Sequence, residues 1–256
     1  MHPILFKIVS YPVYSYGFFI AMGVMSGFLY TYWQGKRQFG MTFDQTYALF
    51  FLLVLVGGIG GKAFVLFEDP LYFLQNPQKL LSGTGFVFYG TLLLTIPTML
   101  WYFKKIKIPI PGMLDIMAVV GCIMHIFGRT GCFLAGCCHG KPTDSIFGVT
   151  FTDRLCQAEP LNTPLHPTQL YEVAWIAGIM AFLIFLKSRK TFDGQIFLIY
   201  LMAYGAGRGV IEFFRGDDQR GFLFGNIIST SQFISILIIA IAAYFYFRMN
   251  KKRAMP

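Results

Sequence analysis

Seven long apolar runs limit what this chain can fold into more than any other feature of it. They fall at about 15–34, 45–67, 85–103, 113–136, 170–186, 194–214 and 227–247 of the 256 residues. Each is close to the ~20 residues that an α-helix needs to cross ~30 Å of hydrocarbon. A bilayer core offers no water to backbone N–H and C=O groups, so a chain that crosses it repeatedly does so as helices. The expected fold is an all-α membrane protein with seven transmembrane helices, residues 1–256 making one integral-membrane domain. At 55% hydrophobic and 13% charged residues, the composition excludes an ordinary soluble domain.

The formal net charge of +9 points toward nucleic acid only until its carriers are placed. Twelve of the 21 Lys and Arg residues fall in connections 35–44, 104–112 and 187–193 and in the tail 248–256. Six fall on the opposite side, namely Lys7, Lys79, Lys141, Arg154, Arg215 and Arg220, and Lys62, Arg129 and Arg208 lie inside the runs. The positive-inside rule then puts the N-terminus outside and the C-terminus in the cytoplasm. A basic surface facing anionic inner-leaflet lipid accounts for the charge with no nucleic-acid partner. No cleavable signal is expected, because a basic n-region and a small-x-small site are both missing. The connection 137–169, rich in Gly, Pro, Thr and Asp, reads as an ordered loop or cap on the outer side. Gly23/Gly27 and Gly57/Gly61 have the small-xxx-small spacing of close helix packing.

Two arginines sit where hydrocarbon is expected. Arg129 interrupts the fourth run and Arg208, with Glu212 four residues later, the sixth. An intramembrane arginine costs at least ~2.5–3.5 kcal/mol on insertion scales, so such residues mark polar sites. With the topology above, Arg129 lies ~24 Å and Arg208 ~21 Å along their helices, at similar depth near the outer leaflet. Tyr16, Tyr89, His166 and Gln169 enter the same layer from the outer side. The plainer account is that Arg208 and Glu212 neutralise each other and Arg129 snorkels outward. Convergence of so many polar groups favours an anion site, and paired guanidiniums suit a phosphate, here that of a phospholipid. His125, one turn before Arg129, offers a general base beside it; its plainer role is a packing hydrogen bond.

Cys132, Cys137, Cys138 and His139 carry zinc-type donors, but there is no C-x-x-C and no second ligand pair. No metal and no cofactor are expected. The five cysteines form an odd set, and the alternatives are a functional thiol, buried small residues, or an outer-face disulfide for which Cys156 is one partner to consider.

Together, Tyr16-Gly17, Lys62 in Gly-Lys-Ala-Phe-Val-Leu-Phe, Gly128-Arg129-Thr130-Gly131, the motif His166-Pro167-Thr168-Gln169-Leu170-Tyr171-Glu172, and Gly207-Arg208 leading to Glu212-Phe213-Phe214-Arg215 resemble the bacterial phosphatidylglycerol–prolipoprotein diacylglyceryl transferases over nearly the whole chain. The resemblance implies a seven-helix, multi-pass enzyme of the bacterial inner (plasma) membrane. Its partners would be phosphatidylglycerol and the lipobox cysteine in the signal peptide of a prolipoprotein, joined as a thioether with release of glycerol phosphate. Two departures stand out. The family's Gly-Asn-Phe, Asn and Glu after the arginine are replaced here by Gly131-Cys132-Phe133 through Cys138, with the terminal glycine kept as Gly140. The family's His-Gly-Gly reads Tyr89-Gly90-Thr91.

These readings assign Arg129 to the phosphate, Arg208 oriented by Glu212 to the leaving group, and His125 or Tyr89, then His166, to the thiol proton. Tyr16 and Tyr204 position substrate, and Lys62, Gly90, Cys132, Gly140, His166 and Gln169 fall on the substrate side. The alternatives are a paralogous transferase with another acceptor and a phospholipid or anion transporter; the latter usually shows paired repeats and broken helices.

Overall fold

The computed structural model describes residues 2–68, 70, 87–216, 222–223 and 228–254. Each apolar run contains a helix: α1 (Ser15–Phe39), α2 (Phe43–Glu68), α3 (Phe88–Lys105), α4 (Ile110–Ala135), α5 (Thr168–Lys187), α6 (Gln195–Ile211) and α7 (Thr230–Ala254). A single 3-10 turn, Glu212–Phe214, extends α6. Glycines in the left-handed region punctuate these helices, Gly40 (φ 66°) after α1, Gly136 (φ 79°) after α4 and Gly194 (φ 92°) before α6.

Five segments are long and apolar enough to cross a membrane: Phe43–Phe67, Ile110–Ala135, Thr168–Lys187, Gln195–Phe214 and Thr230–Lys251. Helices α1 and α3 are not among them. The last turns of α1 carry Gln34, Lys36, Arg37 and Gln38, and α3 has 18 residues ending in Lys104 and Lys105. Lys79 and Arg220, and the window ends at 85–86 and 227, lie outside the described residues.

The all-α expectation needs correction at the connections. Three two-stranded antiparallel ribbons are present, β1 (Ile4–Ile8) with β2 (Tyr11–Tyr14), β3 (Val149–Thr150) with β4 (Pro164–Leu165), and β5 (Phe222–Leu223) with β6 (Ile228–Ser229). Extended backbone outside a helix leaves its N–H and C=O groups open, and pairing short segments satisfies them.

Two compact units divide the chain. Thr31–Met113 forms one of them. Within it α2 packs on α3 through small residues: Thr91 Oγ1 donates to the carbonyl of Gly57 at 3.0 Å, and the backbones of Gly60 and Gly90 approach so closely that a side chain at either collides with the other helix. The Gly57 half of the sequence expectation is met here, with Gly60 as the second contact. Tyr102 Oη donates to Gln45 O at 2.9 Å.

Met1–Tyr30 with Leu114–Pro256 forms the other unit. Its core joins Ala118, Val119 and Cys122 of α4 to Ile176, Ile179 and Leu183 of α5 and Ile196 of α6. Gly23 of α1 receives Phe127 and Met124 of α4. Asp115, 4% exposed, accepts from the backbone N–H of Gly194 (3.0 Å) and Phe197 (3.0 Å) and from Lys190 Nζ (3.1 Å). A carboxylate from α4 thus satisfies the open N–H groups at the start of α6 and fixes the two helices in register. A small second core of Phe151, Cys156, Ala158 and Leu165 lies in the 137–169 segment, which is the ordered cap expected from the sequence. Large apolar side chains such as Leu29, Phe182, Phe185 and Phe247 remain exposed along the helices, as hydrocarbon-facing surfaces require.

Candidate active site

Glu172, on the first turn of α5, gathers four cationic or imidazole side chains. Its Oε2 lies 2.6 Å from Arg129 Nε and 2.8 Å from His125 Nε2. Its Oε1 lies 3.3 Å from Arg215 Nη1 and 3.8 Å from Arg208 Nη1. Arg208 Nη2 reaches Glu212 Oε2 at 2.5 Å and donates to Ser231 Oγ at 3.1 Å. The local sequence explains the convergence. His125 and Arg129 are four apart on α4 and share a face, as do Arg208 and Glu212 at the end of α6. Arg215 follows the 3-10 turn that closes α6.

Among the described residues the cluster brings three guanidiniums to two carboxylates, in side chains only 2–20% exposed. Burial at that level leaves these charges weakly screened. An ionised carboxylate only accepts, so a neutral His125 donates its Nε2–H to Glu172 and keeps Nδ1 as its basic nitrogen. Arg129 Nε and His125 Nε2, 3.4 Å apart, are therefore two donors sharing one acceptor. Because Arg129 uses Nε here, its terminal NH₂ pair is the edge suited to a bidentate oxyanion contact.

His125, Glu172, Tyr204 and Arg208, with Trp175, Ile176 and Ile211, line a chamber of about 10 Å³, room for roughly one water. Trp175 and Ile211 also border an apolar groove of about 660 Å³, whose other walls include Phe147, Tyr171, Val210 and Phe214. Trp175 is set by α6: its Nε1 donates to Ala203 O at 3.0 Å, and only a glycine at 207 leaves room for the indole. Charged side chains bordering an apolar trough suit an amphipathic ligand with an anionic group and hydrocarbon tails.

The other expected site residues lie in different places. Tyr204 sits edge-on to His125 at 5.6 Å, within the chamber. Tyr16 begins α1, half exposed at 49%, with its backbone against Gly131. His166 turns away from the ionic cluster: its Nδ1 is 3.1 Å from Tyr171 Oη and its ring lines the groove. Tyr89, Gly90 and Lys62 belong to the Thr31–Met113 unit, Tyr89 exposed at the start of α3 and Gly90 in the α2–α3 contact.

Cys132, Gly140 and Gln169 meet at the junction of α4 with the cap. Gly136 N donates to Phe133 O (3.2 Å) and Cys137 N to Cys132 O (3.1 Å), the paired bonds of a Schellman helix stop. That stop brings residue 137 back over residue 132. Gln169 Nε2 donates to Cys137 O at 2.6 Å, Thr168 Oγ1 to Cys138 O at 2.8 Å, and Gly140 N to His166 O at 2.8 Å, so the α5 N-terminus clamps the segment. All five cysteines are free thiols. The disulfide alternative with Cys156 is not realised, because Cys156 is buried in the cap core against Gly136.

The family model described as prolipoprotein diacylglyceryl transferase matches residues 3–248. The chain belongs to that family. Such enzymes are transferases of lipoprotein maturation. A phosphatidylglycerol–prolipoprotein diacylglyceryl transferase from Clostridium tetani is 34% identical over 249 residues, covering 96% of this chain and 97% of that protein. The enzymes of the same name from Dehalococcoides mccartyi and, as transferase 2, Clostridium perfringens are each 31% identical over 254 residues, or 98% of this chain.

Within this diacylglyceryl transferase, sequence reasoning passed over Glu172 and Arg215. Glu172 closes the His166–Glu172 motif and begins an apolar run, where an acid needs a buried partner; with arginines in two other runs, it is the charge that completes them. Arg215 had been counted with the outer-side surface charges, whereas its side chain is 2% exposed.

Proposed function

We propose that this transferase moves the diacylglyceryl group of phosphatidylglycerol onto the lipobox cysteine thiol of a prolipoprotein signal peptide, forming a thioether and releasing glycerol phosphate. It does so as a single seven-span domain of the bacterial inner membrane, with its N-terminus outside and its C-terminus cytoplasmic. The observation that carries this reading is the cluster of three guanidiniums and one imidazole on Glu172, at the edge of an apolar groove.

The proposed roles follow from that geometry. Arg129 holds the lipid phosphate through its terminal nitrogens. Arg208, set by Glu212, stabilises charge as it builds on the departing glycerol phosphate; fixed donors of this kind are often the largest catalytic contribution. Glu172 holds these groups at fixed spacing and orients His125, whose Nδ1 is assigned the proton of the acceptor thiol. Tyr89 is the second proton acceptor. The acyl chains lie along the groove, and Tyr16, Tyr204, Lys62, Gly90, Cys132, Gly140, His166 and Gln169 position the two substrates.

Purified protein incubated with phosphatidylglycerol labelled in its acyl chains and a lipobox peptide tests the reading. The expected products are a labelled thioether peptide and free glycerol phosphate in equal amounts. Labelled lipid that leaves phosphatidylglycerol only for a non-thiol acceptor would support a paralogous transferase. Lipid or phosphate that crosses vesicles unchanged would support a transporter.

A further inference from the structure

The reaction above alkylates a thiol, yet the cluster on Glu172 contains no group that holds sulfur. Sulfur is concentrated one turn along α4. The thiol sulfurs of Cys132, Cys137 and Cys138 all lie within 4.8 Å of one another. Zinc–sulfur bonds of ~2.3 Å at tetrahedral angles set sulfurs ~3.8 Å apart, so a closure of about 1 Å at most completes the geometry.

The backbone explains how three cysteines with such spacing converge. The Schellman stop at Gly136 places Cys137 over Cys132, a contact that is ordinarily apolar. Adjacent residues in extended chain point to opposite faces, which would separate the Cys137 and Cys138 thiols. Cys138 is instead left-handed at φ 62°, a conformation rare for a side-chain-bearing residue, and this returns its thiol to the same side. Gln169 and Thr168 pin both carbonyls, so the arrangement is held from α5 as well.

His139 does not complete the set. Its Nδ1–H donates to Gly140 O (3.0 Å) and its Nε2 accepts from Glu159 N–H (3.3 Å), which uses both ring nitrogens. Among the described residues the group consists of the three cysteines. Three protein ligands and one open position are the pattern of a catalytic zinc site, whereas structural sites close with a fourth.

We propose that Cys132, Cys137 and Cys138 bind a zinc ion as three thiolates and that its fourth position takes the acceptor thiol of the prolipoprotein. Coordination ionises that thiol, its proton passing to water, and keeps the sulfur nucleophilic beside Arg129. The sulfur then forms a bond to the terminal glycerol carbon of the diacylglyceryl group as the bond from that carbon to the phosphate oxygen breaks. Both electrons of the broken bond leave with glycerol phosphate, and zinc is unchanged. No oxidant or reductant is needed. The inference rests on the transferase reading and changes one step of it. Cys132 lies seven residues, ~10 Å of helix rise, beyond His125, so ionisation moves to the metal and His125 keeps its place on Glu172. It also revises the expectation of no metal, which rested on spacing without knowledge of the turn.

The test uses full-length protein purified in detergent without chelator. Elemental analysis should find about one zinc per chain, absent from Cys132→Ser, Cys137→Ser and Cys138→Ser and retained in Cys122→Ser. Cobalt(II) exchanged into the site should give thiolate-to-metal charge-transfer bands and tetrahedral d–d bands. A lipobox peptide should shift the d–d bands, and its serine analogue should not. Chelation should lower transfer by more than about tenfold, with zinc restoring it. Folded, active protein that binds neither zinc nor cobalt overturns the proposal, as does full activity with a disulfide among the three cysteines. Metal bound with no effect of chelation or peptide overturns the activating role. Metal and peptide signatures present while no diacylglyceryl transfer occurs would support the site and defeat the transferase reading.

Discussion

Replacing Glu172 by glutamine tests the organisation of the site most directly. The change preserves shape and removes the charge that faces Arg129 at 2.6 Å, Arg215 at 3.3 Å and Arg208 at 3.8 Å. Arg215, whose side chain is 2% exposed, loses a facing carboxylate while its own charge stays buried. Removing one partner of a buried ion pair costs about 3–5 kcal/mol. The glutamine carbonyl still accepts one hydrogen bond, so the lower end, about 3 kcal/mol, is expected. If that energy is lost from transition-state positioning, transfer falls about 10²-fold at 1.4 kcal/mol per decade. The assay pairs kcat/KM for phosphatidylglycerol-dependent peptide modification with an unfolding midpoint in the same detergent. A Glu172→Gln/Arg215→Gln double variant should be less damaged than the two single losses combined, with a coupling of roughly 0.5–3 kcal/mol. Turnover within a few-fold of the parent, or strict additivity of the pair, would refute the argument that Glu172 organises the cluster.

Arg129→Ala should abolish transfer and Arg129→Lys should rescue it poorly, because an ammonium cannot make a bidentate contact to phosphate; steady-state kinetics with labelled phosphatidylglycerol reads both. His125→Ala should lower kcat far more than Tyr89→Phe. Residual activity that climbs with pH in the His125 variant identifies the imidazole as thiol base, whereas a flat profile moves ionisation to the metal. Gly207→Ala places a methyl group where the Trp175 indole lies and should shift its fluorescence and raise KM for the lipid; an unchanged spectrum and KM would remove Trp175 from the lipid site. An impermeant thiol reagent should label a cysteine engineered at Asp144 in intact cells and miss one at Lys251, against a background in which the native cysteines are unreactive. The opposite pattern would invert the topology.

The sequence by itself determined the helices and the family. Apolar runs of membrane length and the split of basic residues are local or additive signals, open to a linear reading. It also identified Arg129, Arg208, Glu212 and His125, because spacings of four on a helix report a shared face. Only the tertiary structure decided what those groups meet. Glu172 comes from a third helix, and nothing in its neighbours states that one carboxylate receives His125, Arg129, Arg208 and Arg215 together. Arg215 looked like a surface charge until the turn after α6 buried it. The short ribbons escaped notice because pairings of two to four residues leave little periodic pattern to read. The sulfur cluster is the clearest case. Cysteines at 132, 137 and 138 match no ligand spacing, and their convergence depends on a helix stop at Gly136 and a left-handed residue at Cys138. Backbone dihedral angles of that kind are fixed by the assembled fold, where the hydrogen bonds from Thr168 and Gln169 hold them.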